Sequence, residues 1–291
     1  MYQLRAWAGS INCRMLLLFR TPSGAIAHAV EHITFHQGYR PAHSREVFVP
    51  DGGCDLVIDL SDAPKQRWHD EHGDRADHHK RGWVSGMRTS RIIIGTGSGA
   101  PMLVLRLRAG ALPALTGQPA SELNDTVVDL DLLLGGRFTN VRDALGEALE
   151  TFGAEAMLAD AERILAPLFP RKDDEHARLS LAFTAMRRSG GIGNVRAISD
   201  ELGCSQKHLN DLFHRHFGLG PKRFASVIRF QSLLQRLEQE SAPDWTQLAL
   251  EHGYYDQSHM VNAFREMTGL SPTRYMAAKG PFLNWLPVHT R

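Results

Sequence analysis

One pattern occurs twice in the last third of this 291-residue chain, and it narrows the possible folds more than any other feature. In the first copy, Ala197-Ile-Ser-Asp-Glu-Leu-Gly203 precedes Ser205 and an apolar-periodic stretch through Phe217, then Gly218-Leu-Gly-Pro-Lys-Arg-Phe224. In the second, Gln247-Leu-Ala-Leu-Glu-His-Gly253 precedes Asp256 and a similar stretch through Thr268, then Gly269-Leu-Ser-Pro-Thr-Arg-Tyr275. Gly203 corresponds to Gly253, Phe213 to Phe264, Gly218 to Gly269, Pro221 to Pro272, Arg223 to Arg274 and Phe224 to Tyr275. The offset grows from 50 to 51, so the second copy holds one extra residue in its turn. Repetition of this kind marks a repeated supersecondary unit.

Each copy predicts a short amphipathic helix that ends at a glycine, the residue that enters the left-handed region and reverses the chain without strain. Ser205 and Asp256 then sit where an N-cap is needed for a second helix. That second helix buries Leu209, Leu212 and Phe213 in one copy, and Met260 and Phe264 in the other. Its outer face stays polar, with Gln206, Lys207, Asn210, Asp211 and His214 in one copy and Gln257, Ser258, His259, Asn262 and Arg265 in the other. Helix, glycine turn and amide-rich second helix make the helix-turn-helix layout, here at about 195–217 and 245–268. Pro221 to about Glu240 fits one connecting helix of about 20 residues, or about 30 Å. Such a spacer sets the two second helices about one DNA turn apart on one face of a duplex. A generic bundle with wet polar faces would explain one copy. It would not require two copies at that spacing.

Charge points the same way once the chain is divided. Over the whole chain the formal net charge is only +1. Residues 1–175 hold 19 basic and 23 acidic side chains, net −4, whereas residues 176–291 hold 14 and 9, net +5. A basic final third is the footprint of a segment that meets a polyanion.

The residues before it read differently. Short apolar runs at Glu46–Val49, Leu56–Leu60, Arg91–Ile94 and Met102–Leu107 alternate with glycine-rich turns, which suggests a small barrel or sandwich. Pro50-Asp-Gly-Gly53 is expected to close a hairpin between the first two runs. Apolar spacing lengthens to a helical period at Val141–Leu149 and Ala154–Leu165, and Pro167, Pro170 and Arg171–Glu175 mark a boundary. The expected fold class is α+β: a β-rich domain with trailing helices over 1–172, then an all-α domain over 173–291. Three cysteines (Cys13, Cys54 and Cys204) build no disulfide framework and no cysteine-ligated zinc finger. The longest early apolar run, Met15–Phe19, is too short to span a membrane, and no secretory signal pattern precedes it, so a cytoplasmic location with no membrane partner is expected.

Residues from about 178 to 279 resemble the DNA-binding domain of the AraC/XylS transcription regulators, in which a long helix joins two helix-turn-helix units. The resemblance is most specific at Ala249, Gly253-Tyr254, Asp256-Gln257-Ser258-His259, Phe264-Arg265 and Gly269–Tyr275. The N-terminal half resembles, less specifically, the sensory region of a subgroup with a Pro-Asp-Gly turn (Pro50-Asp51-Gly52) and a basic-apolar segment ending in Gly-Ala (Arg106 to Ala111). The resemblance implies double-stranded promoter or operator DNA as partner, and it allows a small-molecule effector, a homodimer and, for an activator, RNA polymerase. The expected base readers are Gln206, Lys207, Asn210 and Asp211 in the first unit and Gln257, Ser258, His259 and Asn262 in the second. Amides bond adenine edges, Lys suits guanine, and Asp accepts from cytosine N4. Asp211 stands where the family often has an aromatic or arginine side chain. Arg215, Lys222, Arg223, Arg265 and Arg274 are the expected phosphate anchors, which set register without reading sequence. Phe213, Phe217, Phe224, Trp245, Phe264 and Tyr275 are expected in the core.

Two other functional classes have some footing in the sequence. His69, His72, His78 and His79 stand among acids in a stretch that reads as a solvated loop, with no recognised ligand spacing. A metal-responsive regulator using it is the first alternative, although no metal or cofactor is expected. The second is an enzyme with a fused DNA-binding tail, but no phosphate-cradling loop, nucleophile elbow or HExxH pattern is present. No enzyme activity is expected.

Overall fold

The computed structural model of the chain describes residues 15–96, 99–169, 175–193, 195–239, 243–280 and 283–288, with backbone alone for 175–178. The short apolar runs become strands of two antiparallel sheets. One sheet holds β1 (Leu16–Arg20), β2 (Val30–Gln37), β4 (Cys54–Asp59), β7 (Gly82–Ser85), β9 (Met102–Leu107) and β10 (Val127–Asp129), in the spatial order β1-β2-β9-β4-β7-β10. The other holds β3 (Arg45–Phe48), β5 (Lys65–Trp68), β6 (Ala76–His79), β8 (Ile92–Gly95) and β11 (Trp285–Val288), in the order β11-β3-β8-β5-β6. Strict alternation in β9 sends Leu103, Leu105 and Leu107 inward, against Leu56 and Ile58 of β4 and Ile33 and Phe35 of β2.

Two details depart from the expectations. Pro50–Gly53 does not close a hairpin, because β3 pairs with β8 while β4 pairs with β9 and β7 in the opposite sheet. Turn chemistry selects a reversal of the chain but not the strand that will lie alongside. Here Asp51 accepts from the Gly53 N–H at 3.0 Å and from Arg106 of β9 at 2.5 Å, and these bonds hold the turn where the chain changes sheets. The histidine-rich stretch is likewise no loop throughout. Its ends form the β5–β6 hairpin, with Trp68 opposite Ala76 and Lys65 opposite His79.

Helices follow the sandwich: α1 (Ala111–Thr116), α2 (Leu130–Leu134) and α3 (Gly136–Leu165). Gly153, at φ 81° and ψ 172°, interrupts α3 and so separates the two helical stretches expected there. Residues 170–174, on which the expected boundary falls, lie outside the described residues. Beyond them run α4 (Glu175–Arg188), α5 (Val195–Glu201), α6 (Gln206–Phe217), α7 (Pro221–Leu237), α8 (Trp245–Glu251), α9 (Gln257–Thr268) and α10 (Pro272–Ala278). The chain then returns to the sandwich, where β11 pairs with β3 at the sheet edge. Buried apolar side chains form one continuous cluster through both halves. Among the described residues, no helix is long and apolar enough to cross a membrane.

Candidate nucleic-acid interface

The repeat in sequence is a repeat in space. Helices α5 and α6 form one helix-turn-helix and α8 and α9 the other, with Gly203 and Gly253 in the left-handed region at φ 64° and 68° between them. Ser205 accepts from the His208 N–H at 3.1 Å, and Asp256 accepts from the His259 N–H at 2.7 Å, so both expected N-caps are made. The corresponding aromatic pairs touch in the same way. Phe213 and Phe224 meet at 5.7 Å and 71°, and their counterparts Phe264 and Tyr275 at 5.4 Å and 80°, an edge-to-face packing in each unit. Tyr275 uses its hydroxyl to donate to the Leu283 carbonyl at 2.5 Å. All the aromatic side chains expected in the core are buried except Trp245, which is half-buried.

Burial of one face leaves the other in water. Gln206, Lys207, Asn210 and Asp211 are exposed along α6, and Gln257, Ser258, His259 and Asn262 along α9. Some of these side chains have neighbours. Gln257 accepts from the Thr246 hydroxyl at 3.3 Å, and the His259 ring accepts the Tyr255 backbone N–H at 3.2 Å. Of the candidate anchors, Arg215, Lys222, Arg265 and Arg274 are exposed. Arg223 instead reaches Glu266 of α9 at 2.7 Å, a bond that ties the start of α7 to the second unit. Basic residues fall in the last turn of both second helices, His214 and Arg215 in α6 and Arg265 in α9, where they face the negative end of the helix dipole.

Helix α7 joins the units over 17 residues, about 26 Å at 1.5 Å per residue. Its buried side includes Phe224, Ile228, Phe230 and Leu234. Arg229 lies over the ring of Tyr254 at 5.5 Å and donates to the Gly191 carbonyl at 3.0 Å. Burial pushes the Tyr254 phenol up to about 12, with the Arg229 charge opposing.

The sequence did not single out the side chains that join the halves. Asn124 donates to the Gly218 carbonyl at the end of α6. Arg91 donates to the Thr268 carbonyl at the end of α9 at 2.8 Å. Gln231 of α7 donates to the Pro50 carbonyl at 2.5 Å and to Asn284 at 2.9 Å, while a Cβ on Gly52 would stand 3.1 Å from Ile228. No local pattern marks Arg91, Asn124 or Gln231, because each acts on a partner far away in the chain. The histidines of the β5–β6 hairpin have acidic neighbours, His69 with Asp77 at 3.2 Å and His79 with Asp129 at 2.7 Å. Among the described residues, no three His, Cys, Asp or Glu side chains converge as a metal site.

Residues 198–278 match the model of a helix-turn-helix domain, and residues 19–129 match that of a domain of unknown function (DUF6597). An uncharacterized HTH-type transcriptional regulator of Haemophilus influenzae is 29% identical over 99 residues, 34% of this chain and 33% of that protein. The match thus spans about a third of the relative's length. Among solved structures, ToxT from Vibrio cholerae is 11% identical with a TM-score of 0.36, over 91% of this chain and 97% of that one. The AraC-like transcriptional activator CuxR is 14% identical with a TM-score of 0.22, over 78% and 87%.

Proposed function

We propose that the chain is a sequence-specific DNA-binding transcription regulator of the AraC type, which grips DNA through the helix-turn-helix domain that residues 198–278 match. The observation that carries the reading is the duplicated unit itself, two capped helices with polar outer faces held by one spacer. In this reading α6 and α9 enter successive major-groove segments on one side of the duplex, about one turn apart. Gln206, Lys207, Asn210 and Asp211 read bases from α6, and Gln257, Ser258, His259 and Asn262 read them from α9. Arg215, Lys222, Arg265 and Arg274 hold phosphates, and Arg223 joins them when it exchanges Glu266 for the DNA backbone.

Residues 1–172 serve as the sensory or dimerising part and residues 173–291 as the DNA-binding part of a cytoplasmic protein. A small-molecule effector acts by binding one arrangement of the two halves better than another, since only differential affinity moves such an equilibrium. The contacts from Arg91, Asn124 and the Pro50–Gly52 turn support this, because they reach α6, α7 and α9 together. A homodimer and, for an activator, RNA polymerase complete the proposed partners.

The test is selection of bound sequences from random duplex DNA with the full-length protein. Two short preferred blocks with centres about 10 base pairs apart are expected. Recovery of a single block, or of no preference at all, would overturn the tandem reading.

A further inference from the structure

We propose that His259 reads guanine, as a fixed hydrogen-bond donor through Nε2. This rests on the DNA-binding reading above and assigns the chemistry of one position within it. The neutral imidazole carries its proton on one nitrogen while the other accepts, and the partner of one nitrogen decides the role of the other. In this chain Nδ1 is already an acceptor, because the Tyr255 backbone N–H donates to it at 3.2 Å. The proton is therefore on Nε2, the nitrogen at the far side of an exposed ring, and no described residue takes it.

The ring is also held from behind. It meets Tyr254 edge-on, at 5.5 Å and 84°. Tyr254 is itself buried beneath Arg229 of the spacer helix. The cap completes the arrangement. Asp256 accepts from the His259 N–H while the His259 ring accepts from the N–H just before the cap, a reciprocal pattern like a capping box with histidine in place of glutamate. His259 thus reaches solvent in the first turn of α9 with its tautomer and direction set before any DNA arrives.

A lone N–H donor discriminates among bases in a definite way. In the major groove guanine shows two adjacent acceptors, N7 and O6, so the donor meets one of them across the whole edge. Adenine puts its N6 donor beside N7, thymine puts a methyl beside O4, and cytosine shows the N4 donor. Guanine is the one base that offers the histidine two adjacent acceptors on that edge.

The experiment compares full-length wild type, His259→Ala and His259→Glu in the random-sequence selection, with thermal unfolding run alongside. Glutamate at this position retains a cap acceptor but has no donor, so it keeps the structural role and removes the reading role. Wild type is expected to select guanine at one position of the second block. Both variants should lose that preference, with about a tenfold loss of affinity for the wild-type site and no change at other positions. Replacing that guanine by 7-deazaguanine should weaken wild type more than His259→Ala. If both variants keep the guanine, or if the position that responds to them is cytosine in the wild-type site, the assignment is wrong. If wild type selects no sequence at all, the DNA-binding reading itself has failed, which is a separate outcome.

Discussion

At the scale of single residues, exposure and charge separate the two kinds of DNA contact proposed above. Lys222 and Arg274 are exposed ammonium and guanidinium groups near the corresponding prolines Pro221 and Pro272 of the repeat, and in the proposed reading they hold phosphates. Lys222→Ala and Arg274→Ala should each weaken binding to every sequence and lower the salt slope of log K by about one, measured by titration at several ionic strengths. Asn262→Ala should instead relax preference at one base, at a cost of about 1–3 kcal/mol for the preferred site. A residue-scale prediction also follows from the buried ion group behind the Pro50–Gly52 turn. Burial raises the Asp55 carboxyl to about 6, with Arg106 opposing. Burial also works against ionisation of Asp51, but Arg106 outweighs it and holds that carboxyl below its usual range. A carboxyl raised on folding binds more protons in the folded than in the unfolded state, so its contribution is complete below about pH 4 and lost as pH rises through about 6. Urea unfolding of Asp55→Asn should therefore show a flatter stability profile between pH 4 and 7 than wild type.

At the scale of elements, the helix-turn-helix units were legible because their signals are local. Ser205 and Asp256 are capping residues one position before a helix, and Gly203 and Gly253 supply positive φ where the chain reverses. Replacing either cap by Ala should cost about 1 kcal/mol in urea unfolding. The two glycines should differ. A Cβ on Gly203 would meet no atom within 4 Å, so Gly203→Ala carries only the left-handed backbone cost of about 1–2 kcal/mol, whereas a Cβ on Gly253 would also press on Ile192 at 3.1 Å. A larger loss for Gly253→Ala is the expected result. Strand pairing was less legible. The alternation in Met102–Leu107 announces a strand with one inward face, but nothing near it says that β2 and β4 will flank it. The Pro50–Gly53 turn misled for the same reason, since its residues report a reversal and not the sheet in which the chain continues.

At the scale of the whole molecule, the N-terminal half grips corresponding points of the two copies. Asn124 holds the carbonyl of Gly218, and Arg91 holds that of Thr268 beside Gly269, the glycine that corresponds to Gly218. Both points are helix C-termini, where donors satisfy open carbonyls and a cation suits the dipole. Between them Gln231 anchors the spacer helix to the Pro50 turn. Arg91→Ala should speed amide exchange in the last turn of α9 and leave the last turn of α6 unchanged, and Asn124→Ala should do the reverse. If each variant loosened both helices equally, the two contacts would not act separately.

Sequence alone determined the repeat, its caps, its glycine turns and the two-faced character of α6 and α9, because each of these depends on residues within one or two helical turns of one another. Tertiary structure decided which strands pair, how β11 returns to lie beside β3, and where Arg91, Asn124 and Gln231 make their bonds. Such choices compare contacts between segments far apart in the chain, from 51 residues for Asp55 and Arg106 through 94 for Asn124 and Gly218 and 177 for Arg91 and Thr268 to 237 for Phe48 and Trp285. They are settled by which apolar faces and which open polar groups can be satisfied together, and no local pattern carries that information.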